Sequence, residues 1–187
     1  MSAVSTTNEQ AIALVRVWIE RFVVDLNLCP FARPVVSSDA LRIVACESAS
    51  PEAIATLLII ELDLLSQSSE SDIATSVLVF PEGLEAFDDY LGLLDDAQAV
   101  LEEMGLDGKV QLASFHPDYR FHGEPIDAVS HFTNRAPYPL IHLLRETMVT
   151  NALDNYPNPE RISKRNIQTL ERMGLAGIER LLHSIDS

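Results

Sequence analysis

Three short apolar runs recur at a spacing of about 34 residues, and this spacing constrains the fold more than any other feature of the sequence. The runs cover residues 41–46, 76–80 and 110–115, and a segment with helical periodicity follows each of the first two. Ser50 and Pro51 are residues typical of a helix N-cap and a first helical position. The resulting βαβαβ order predicts a parallel sheet with right-handed crossovers.

Helices are predicted on both sides of these runs. The opening segment has the periodicity of an amphipathic helix, and it should end near Leu28 because Pro30 disfavours a helical conformation of the residue before it. Further helices are predicted over 137–151 and 158–174, and a last one ends the chain. We therefore predict an α/β fold with a small three-stranded, mainly parallel sheet, flanking helices and a helical C-terminal part. We expect one globular domain over residues 1–187.

The charge of the chain restricts its partners. It carries 28 acidic residues against 13 lysines and arginines, a formal net charge of −15, which repels a phosphate backbone and argues against a nucleic-acid partner. The acidic surplus is uneven, since residues 1–109 hold 19 acids and 5 bases, whereas residues 110–187 hold 9 acids and 8 bases. An anionic ligand should therefore meet the arginines of the second part.

The sequence shows no membrane or secretion signal. No uninterrupted apolar run approaches the roughly 18 residues of a spanning helix, and residues 1–9 lack the basic and apolar regions of a secretory leader. We therefore expect a cytoplasmic chain with no membrane partner. Cys29 and Cys46 are the only two cysteines, and in a reducing compartment both should be free thiols. The sequence leaves a homo-oligomer open.

The third apolar run leads into a candidate for acid–base chemistry. Ligands in open parallel α/β sheets bind outside the carboxyl ends of the strands, and His116 directly follows the third predicted strand. A neutral imidazole can exchange protons near neutral pH, and Asp118 is placed to orient the ring or to act separately. The alternative interpretation is structural: a His-Pro turn satisfied by backbone groups, with Asp118 as an ordinary turn acceptor.

The helix predicted after the third strand carries a second set of candidates. Tyr138 lies four residues before His142, Arg145 lies three residues after it, and Arg135 lies just ahead of the helix. A cationic stripe with a central imidazole suits a carboxylate or phosphate, which arginine binds through its planar fork. Arg33 is expected to join these arginines in holding the anion. The alternatives are a solvated face, or an Arg145 that pairs with nearby acidic residues.

Four of the five histidines lie between residues 116 and 142, and this clustering raises the question of a metal site. His116 and Asp118, followed by a distant histidine, have the ligand order of a two-His, one-carboxylate site. No histidine pair shows the four-residue helical spacing of zinc ligands. The sequence therefore leaves metal content and cofactors undetermined.

Two further features have both a functional and a structural interpretation. Cys29 follows the negative end of the opening helix, which disfavours a thiolate, although Arg33 offsets part of this effect. We expect a protonated thiol that packs as a small apolar side chain, with a nucleophile as the alternative. Arg161, Lys164 and Arg165 share one helical face. Such a face is usually solvated, and the alternative is a site for an anion or an acidic patch.

Four segments together carry a resemblance to a known family. They are LNLCPFARP (26–34), FHPDYRF (115–121), NRAPYPLIHLLRE (134–146) and NPERISKRN (158–166). In combination they resemble a bacterial family catalogued as domain of unknown function 1415, over nearly the whole chain. The resemblance implies a free-standing cytosolic domain. It brings no reaction, cofactor or catalytic residue with it.

The candidate residues predict a small-molecule enzyme that hydrolyses or transfers a group on a carboxylate or phosphate substrate. The alternatives are a non-catalytic module that binds a metabolite or a partner, and a metal-dependent enzyme with a His/Asp site. No glycine-rich phosphate loop is present. The catalytic hypothesis requires the imidazole after the third strand and the arginines downstream to reach a common cavity. The predicted catalytic residues are His116, Asp118 and His142, and the predicted substrate-binding residues are Arg33, Arg135, Tyr138 and Arg145.

Overall fold

A four-stranded mixed sheet lies at the centre of the protein, for which a computed structural model describes residues 3–185. The strands are β1 (Leu41–Ala45), β2 (Thr75–Val79), β3 (Val110–Phe115) and β4 (Leu140–Arg145). Their spatial order is β1, β2, β4, β3. Strands β1 and β2 are parallel, whereas β4 is antiparallel to both of its neighbours. The first three strands therefore point the same way, and β4 is inserted between β2 and β3.

The sheet confirms the α/β class and corrects its details. All three predicted strands are present, within one residue of their predicted bounds. The expected three-stranded, mainly parallel sheet is wrong, because a fourth strand joins it and only one of the three strand pairs is parallel.

The fourth strand replaces the first half of the helix predicted over 137–151. Residues 140–144 form an almost continuous apolar run, which is typical of a strand buried on both faces but also fits a buried helix. In the structure, β4 is the strand that both β2 and β3 border, and the helix begins only at Glu146. Because successive strand residues point to opposite faces, the helical stripe predicted for His142 and Arg145 does not form.

Six α-helices surround the sheet within the described residues. A π-helical segment, Ile19–Val24, continues the first of them, and two short 3₁₀ turns cover Val129–Thr133 and Pro159–Arg161. None of the described helices combines the length and the hydropathy that a membrane span requires. The helices are α1 (Ala3–Trp18), α2 (Ala32–Val36), α3 (Pro51–Gln67), α4 (Phe87–Glu103), α5 (Glu146–Asp154) and α6 (Ile162–Ile185).

The helix boundary signals in the sequence act as expected in two places. The Ser50 side chain accepts a hydrogen bond from the Ala53 amide at 3.2 Å and caps α3, whose first residue is Pro51. Gly174, the predicted end of a helix, has a φ of 66° and forms a kink inside α6. This left-handed conformation suits glycine because it has no Cβ. One helical stretch thus ends at Gly174 and another follows it, as predicted, within the element that we number as α6.

Two apolar cores flank the sheet. One lies between the sheet and α1 and α6, and it contains Trp18, Phe22 and Leu170. The other lies between the sheet and α3 and α4, and it contains Leu62 and Tyr90. This three-layer arrangement leaves the ends of the strands, and the loops that leave them, as the places where polar side chains collect.

Tyr90 links β3 to β4 from within the second core. Its fully buried hydroxyl donates to the Leu140 carbonyl at 2.6 Å and accepts from the Phe115 amide at 3.0 Å. We expect Tyr90→Phe to lower the free energy of unfolding by about 2 kcal/mol, because two buried backbone groups lose their partner. Urea denaturation measures the change. Tyr138→Phe is the control, since the Tyr138 hydroxyl has no hydrogen bond among the described residues, and a loss equal to that of Tyr90→Phe would contradict the account.

Candidate functional site

His116 lies where predicted, directly after β3, and its ring is fully buried. Its Nε2 donates to the Leu84 carbonyl at 2.8 Å, and its Nδ1 accepts from the Asp118 amide at 3.0 Å. Since Nδ1 is the acceptor, the ring is the neutral Nε2–H tautomer. The geometry is that of the structural alternative, a turn satisfied by backbone groups. A general acid or base role for His116 remains a prediction, and the ring would have to leave these bonds to perform it.

His131 makes the same arrangement on the other side of the loop. Its ring is fully buried. The Nδ1 atom accepts from the Phe121 amide at 3.1 Å, and Nε2 donates to the Pro125 carbonyl at 2.8 Å. Together with His116 it fixes the irregular segment that leaves β3, which we call the 116–136 loop. Sequence reasoning considered His131 only for a metal site, because the pairing of each ring with two backbone groups has no local sequence signal.

His142 faces a different layer from His116. It pairs across the sheet with Val77, which packs in the core beneath α1 and α6, whereas His116 contacts Tyr90 on the opposite side. The Thr75 hydroxyl donates to the Leu143 carbonyl at 2.6 Å and therefore accepts from His142 Nε2 at 2.7 Å. Desolvation lowers the pKa of His142 to about 4, so the ring is neutral at neutral pH.

Arg145 lies at the opposite end of the sheet from His116. It pairs with Val110, the first residue of β3, about 20 Å along the strand from His116. Its guanidinium donates to the Ser68 carbonyl at 2.7 Å and twice to the Ile73 carbonyl, at 2.9 and 3.1 Å. The structure therefore does not bring these two residues to a common cavity, and Arg145 instead closes the loop that follows α3.

The remaining predicted residues lie in three different places. Arg135 and the exposed Asp118 lie together on the 116–136 loop, close enough for the Asp118 charge to act on the Arg135 guanidinium. Tyr138 packs at the margin of the core beneath α1 and α6. Arg33 is exposed elsewhere, 3.8 Å from Asp25. Only part of the predicted anion-binding set is therefore assembled at the carboxyl end of β3.

The His/Asp metal arrangement considered from the sequence is not formed. Over residues 3–185 no group of three or more His, Cys, Asp or Glu side chains is arranged to hold a metal ion. Both ring nitrogens of His116 already bond to backbone groups. The side chains described thus give no geometric support to a metal site.

A basic pocket lies elsewhere, on the face of α6 that the sequence marked as cationic. It is a recess of about 510 Å³, a size typical of small-molecule sites. Three of its side chains, those of Arg161, Lys164 and Arg165, are cations. Its lining residues are Tyr156, Pro157, Asn158, Arg161, Ile162, Lys164, Arg165 and Gln168.

Arg165 forms the fixed wall of the basic pocket. Its Nη1 donates to the Tyr156 hydroxyl at 2.7 Å, and its Nη2 donates to the Asn27 carbonyl at 2.7 Å and to Asn166 Oδ1 at 3.2 Å. Asn27, whose carbonyl accepts from this arginine, and Asn158, which lines the pocket, both have a positive φ, of 54° and 56°. Non-glycine residues adopt this conformation at a cost and concentrate at functional sites.

Cys29 lies in the turn before α2, close to the same arginine. Burial raises the pKa of its thiol, while the amides of Phe31 and Ala32 and the charge of Arg165 oppose the shift. The thiol is therefore protonated at neutral pH, in line with the expected apolar packing. Both cysteines are free thiols, and a nucleophilic Cys29 remains an untested alternative.

Comparison with known proteins bears on the whole chain. A family model described as "Protein of unknown function (DUF1415)" matches residues 10–180. The chain belongs to this family. Searches of curated proteins and of solved structures found no match for this DUF1415 protein.

The four sequence segments that carry the DUF1415 resemblance meet in pairs. The segments 26–34 and 158–166 meet where Arg165 and Asn166 donate to the Asn27 and Leu28 carbonyls. The segments 115–121 and 134–146 meet where the His116 amide donates to the Asn134 carbonyl. The first contact fixes Arg165, which lines the basic pocket, and the second lies beside Arg135.

Proposed function

We propose that this protein binds a small anionic molecule, bearing carboxylate or phosphate groups, in the basic pocket. The observation that carries the proposal is the set of three cations, Arg161, Lys164 and Arg165, around one recess of about 510 Å³. This is the non-catalytic alternative of the sequence analysis, placed at a different site. Hydrolysis or group transfer by His116, Asp118 and His142 remains a prediction that the buried histidine geometry does not favour.

The cations of the pocket are poorly paired with carboxylates, although the chain has more acidic than basic residues. The chain has 28 acids for 13 bases, yet no carboxylate within the described residues lies within 4 Å of Lys164 or Arg165. Arg161 approaches Glu160 at 3.7 Å, but both side chains are mostly exposed and such pairs contribute little. An incoming anion therefore meets positive charge that no internal acid has neutralised.

Arg165 is organised before the ligand arrives. Three of its five N–H donors bond to the protein, which fixes the guanidinium plane and leaves two donors for a ligand. A fixed arginine loses little side-chain entropy on binding. The exposed Lys164 and Arg161, by contrast, can close over anions of different shapes. The arrangement favours a ligand with more than one anionic group.

Calorimetric titration with inorganic pyrophosphate and with citrate tests the proposal. We expect Lys164→Gln to weaken binding about fivefold, and Arg161→Gln with Lys164→Gln to weaken it more than about tenfold, since each tenfold change is about 1.4 kcal/mol of interaction. Rising ionic strength should weaken binding because partly exposed charges are screened.

Arg180→Gln is the matched control for Lys164→Gln. It removes one exposed positive charge from the same element, outside the pocket, and should change the affinity less than about twofold because solvent and salt screen an exposed charge that does not contact the ligand. An equal loss of affinity in Lys164→Gln and Arg180→Gln would show that the effect comes from the net charge of the protein, and would contradict a localised site. Absence of binding of both anions to the wild type would also contradict the proposal.

A further inference from the structure

Arg135 is an arginine that the fold holds in place without a counter-ion. Its guanidinium carbon lies 4.4 Å from the centre of the Phe132 ring, and its Nε donates to the Tyr119 carbonyl at 3.3 Å. The side chain is partly buried, and desolvation lowers the pKa of Arg135. These contacts use one face and one N–H of the guanidinium.

The other N–H groups of Arg135 have no acceptor among the described residues. No carboxylate there lies within 4 Å of it, although Asp118 is near enough to raise its pKa and Arg120 near enough to lower it. Arg135 and Arg120 are therefore two neighbouring positive charges, and Asp118 acts against them. A partly desolvated cation with four open donors is a geometry suited to an acceptor from outside the chain.

Four other arginines are partly buried; Arg16 makes no hydrogen bond among the described residues, and the other three show the contrast with Arg135. Arg42 forms a bidentate pair with Glu61, at 2.7 and 2.8 Å. Arg145 makes three hydrogen bonds to backbone carbonyls, and Arg165 makes three to neighbouring oxygens. Each of them makes two or more hydrogen bonds inside the protein, whereas Arg135 makes one.

The 116–136 loop gives Arg135 a rigid support. The buried rings of His116 and His131 each bond to two backbone groups of the protein, and the Asn134 side chain donates to the Ser114 carbonyl at 3.0 Å. A long loop fixed by so many buried contacts differs from a mobile connection and is typical of a binding surface. The loop follows the carboxyl end of β3, so a strand of the sheet positions its first residues.

We propose that Arg135, assisted by Arg120, forms a second anion-binding site that takes the two oxygens of a carboxylate or phosphate group. The fork of Arg135 would bind the group end-on, because its Nε is committed to Tyr119. The negative charge of Asp118 repels the anion and lowers the affinity of the site. The site is separate from the basic pocket, and neither proposal depends on the other.

NMR titration of a protein with a disabled basic pocket tests this inference. The double variant Arg161→Gln, Lys164→Gln is titrated with succinate and, separately, with inorganic phosphate, while the side-chain Nε–H signal of Arg135 is followed. That signal is assigned by its absence in Arg135→Lys. Saturable shifts with succinate identify a carboxylate site, shifts with phosphate identify a phosphate site, and shifts with both identify a general oxyanion site. No saturable shift with either probe would overturn the inference.

Charge substitutions around Arg135 should change the affinity for the anion in a predictable direction. In the same background, Asp118→Asn should tighten binding about threefold and Arg120→Gln should weaken it about threefold, because each removes one charge near the anion. The Asp118 side chain makes no hydrogen bond that the fold needs, since it is the Asp118 amide that bonds to His116. Arg135→Lys keeps the charge but loses the fork, and should weaken binding at least about tenfold. An affinity unchanged by Asp118→Asn and Arg135→Lys would contradict the site.

Discussion

Arg145→Met should lower the free energy of unfolding by about 3 kcal/mol. The substitution removes three charge-assisted hydrogen bonds to the carbonyls of Ser68 and Ile73, which hold the chain between α3 and β2, and leaves those carbonyls without these partners. The methionine keeps the apolar part of the side chain in place, so the loss reports the guanidinium. Urea denaturation at neutral pH measures it.

The same variant separates a structural role for Arg145 from the ligand-binding role predicted from the sequence. We expect binding of pyrophosphate to the folded Arg145→Met protein to be unchanged. Arg172→Met is the control, since the exposed Arg172 bonds only within α6, and it should alter stability by less than about 0.5 kcal/mol. Full stability of Arg145→Met together with lost anion binding would restore the sequence-based hypothesis.

Lowering the pH from about 6.5 to 4 should cost the protein about 3 kcal/mol of stability through His142 alone. The pKa of His142 is about 4 in the folded protein, against 6.5 for an ordinary histidine. Above pH 6.5 the ring is neutral in both states and makes no pH-dependent contribution. Below it the unfolded chain binds a proton that the folded protein does not, so unfolding becomes more favourable, by about 1.4 kcal/mol for each pH unit.

His142→Gln isolates this contribution. Glutamine keeps a neutral donor for the Thr75 hydroxyl and cannot be protonated, so the variant should lose less stability than the wild type between pH 7 and pH 4.5. Urea denaturation at both pH values gives the difference. The control is His122→Gln, at an exposed position on the 116–136 loop, which should follow the wild type. Parallel pH dependence of the wild type and His142→Gln would show that His142 is not desolvated as described.

The elements set by local sequence were predictable. Ser50 and Pro51 begin α3, and the three runs ending at Ala45, Val79 and Phe115 form strands, because caps, glycines and apolar runs act over a few residues. Strand β4 was not predictable in this way. Its apolar run fits a helix or a strand, and the choice is made by hydrogen bonds to β2 and β3, strands that lie more than 20 residues away in sequence.

The candidate site shows the same limit. The cationic face of Arg161, Lys164 and Arg165 was visible from helical spacing, but the orientation of Arg165 depends on the Asn27 carbonyl, 138 residues away in sequence. Because residues 140–145 form β4 and not a helix, Arg145 lies at the far end of the sheet and not at the predicted site. His116 was placed correctly at the end of β3, whereas the bonds that occupy both its ring nitrogens come from Leu84 and from its own turn.

Mapping the backbone amide shifts during titration with pyrophosphate is the most direct measurement of the central claim, which is that the recess on α6 binds anions. The account predicts saturable shifts clustered at residues 156–168, and at Asn27 and Leu28, whose carbonyls contact Arg165 and Asn166. It also predicts that these shifts disappear in the double variant Arg161→Gln, Lys164→Gln. Shifts that do not saturate, or a saturable cluster that leaves residues 156–168 unchanged, would contradict it.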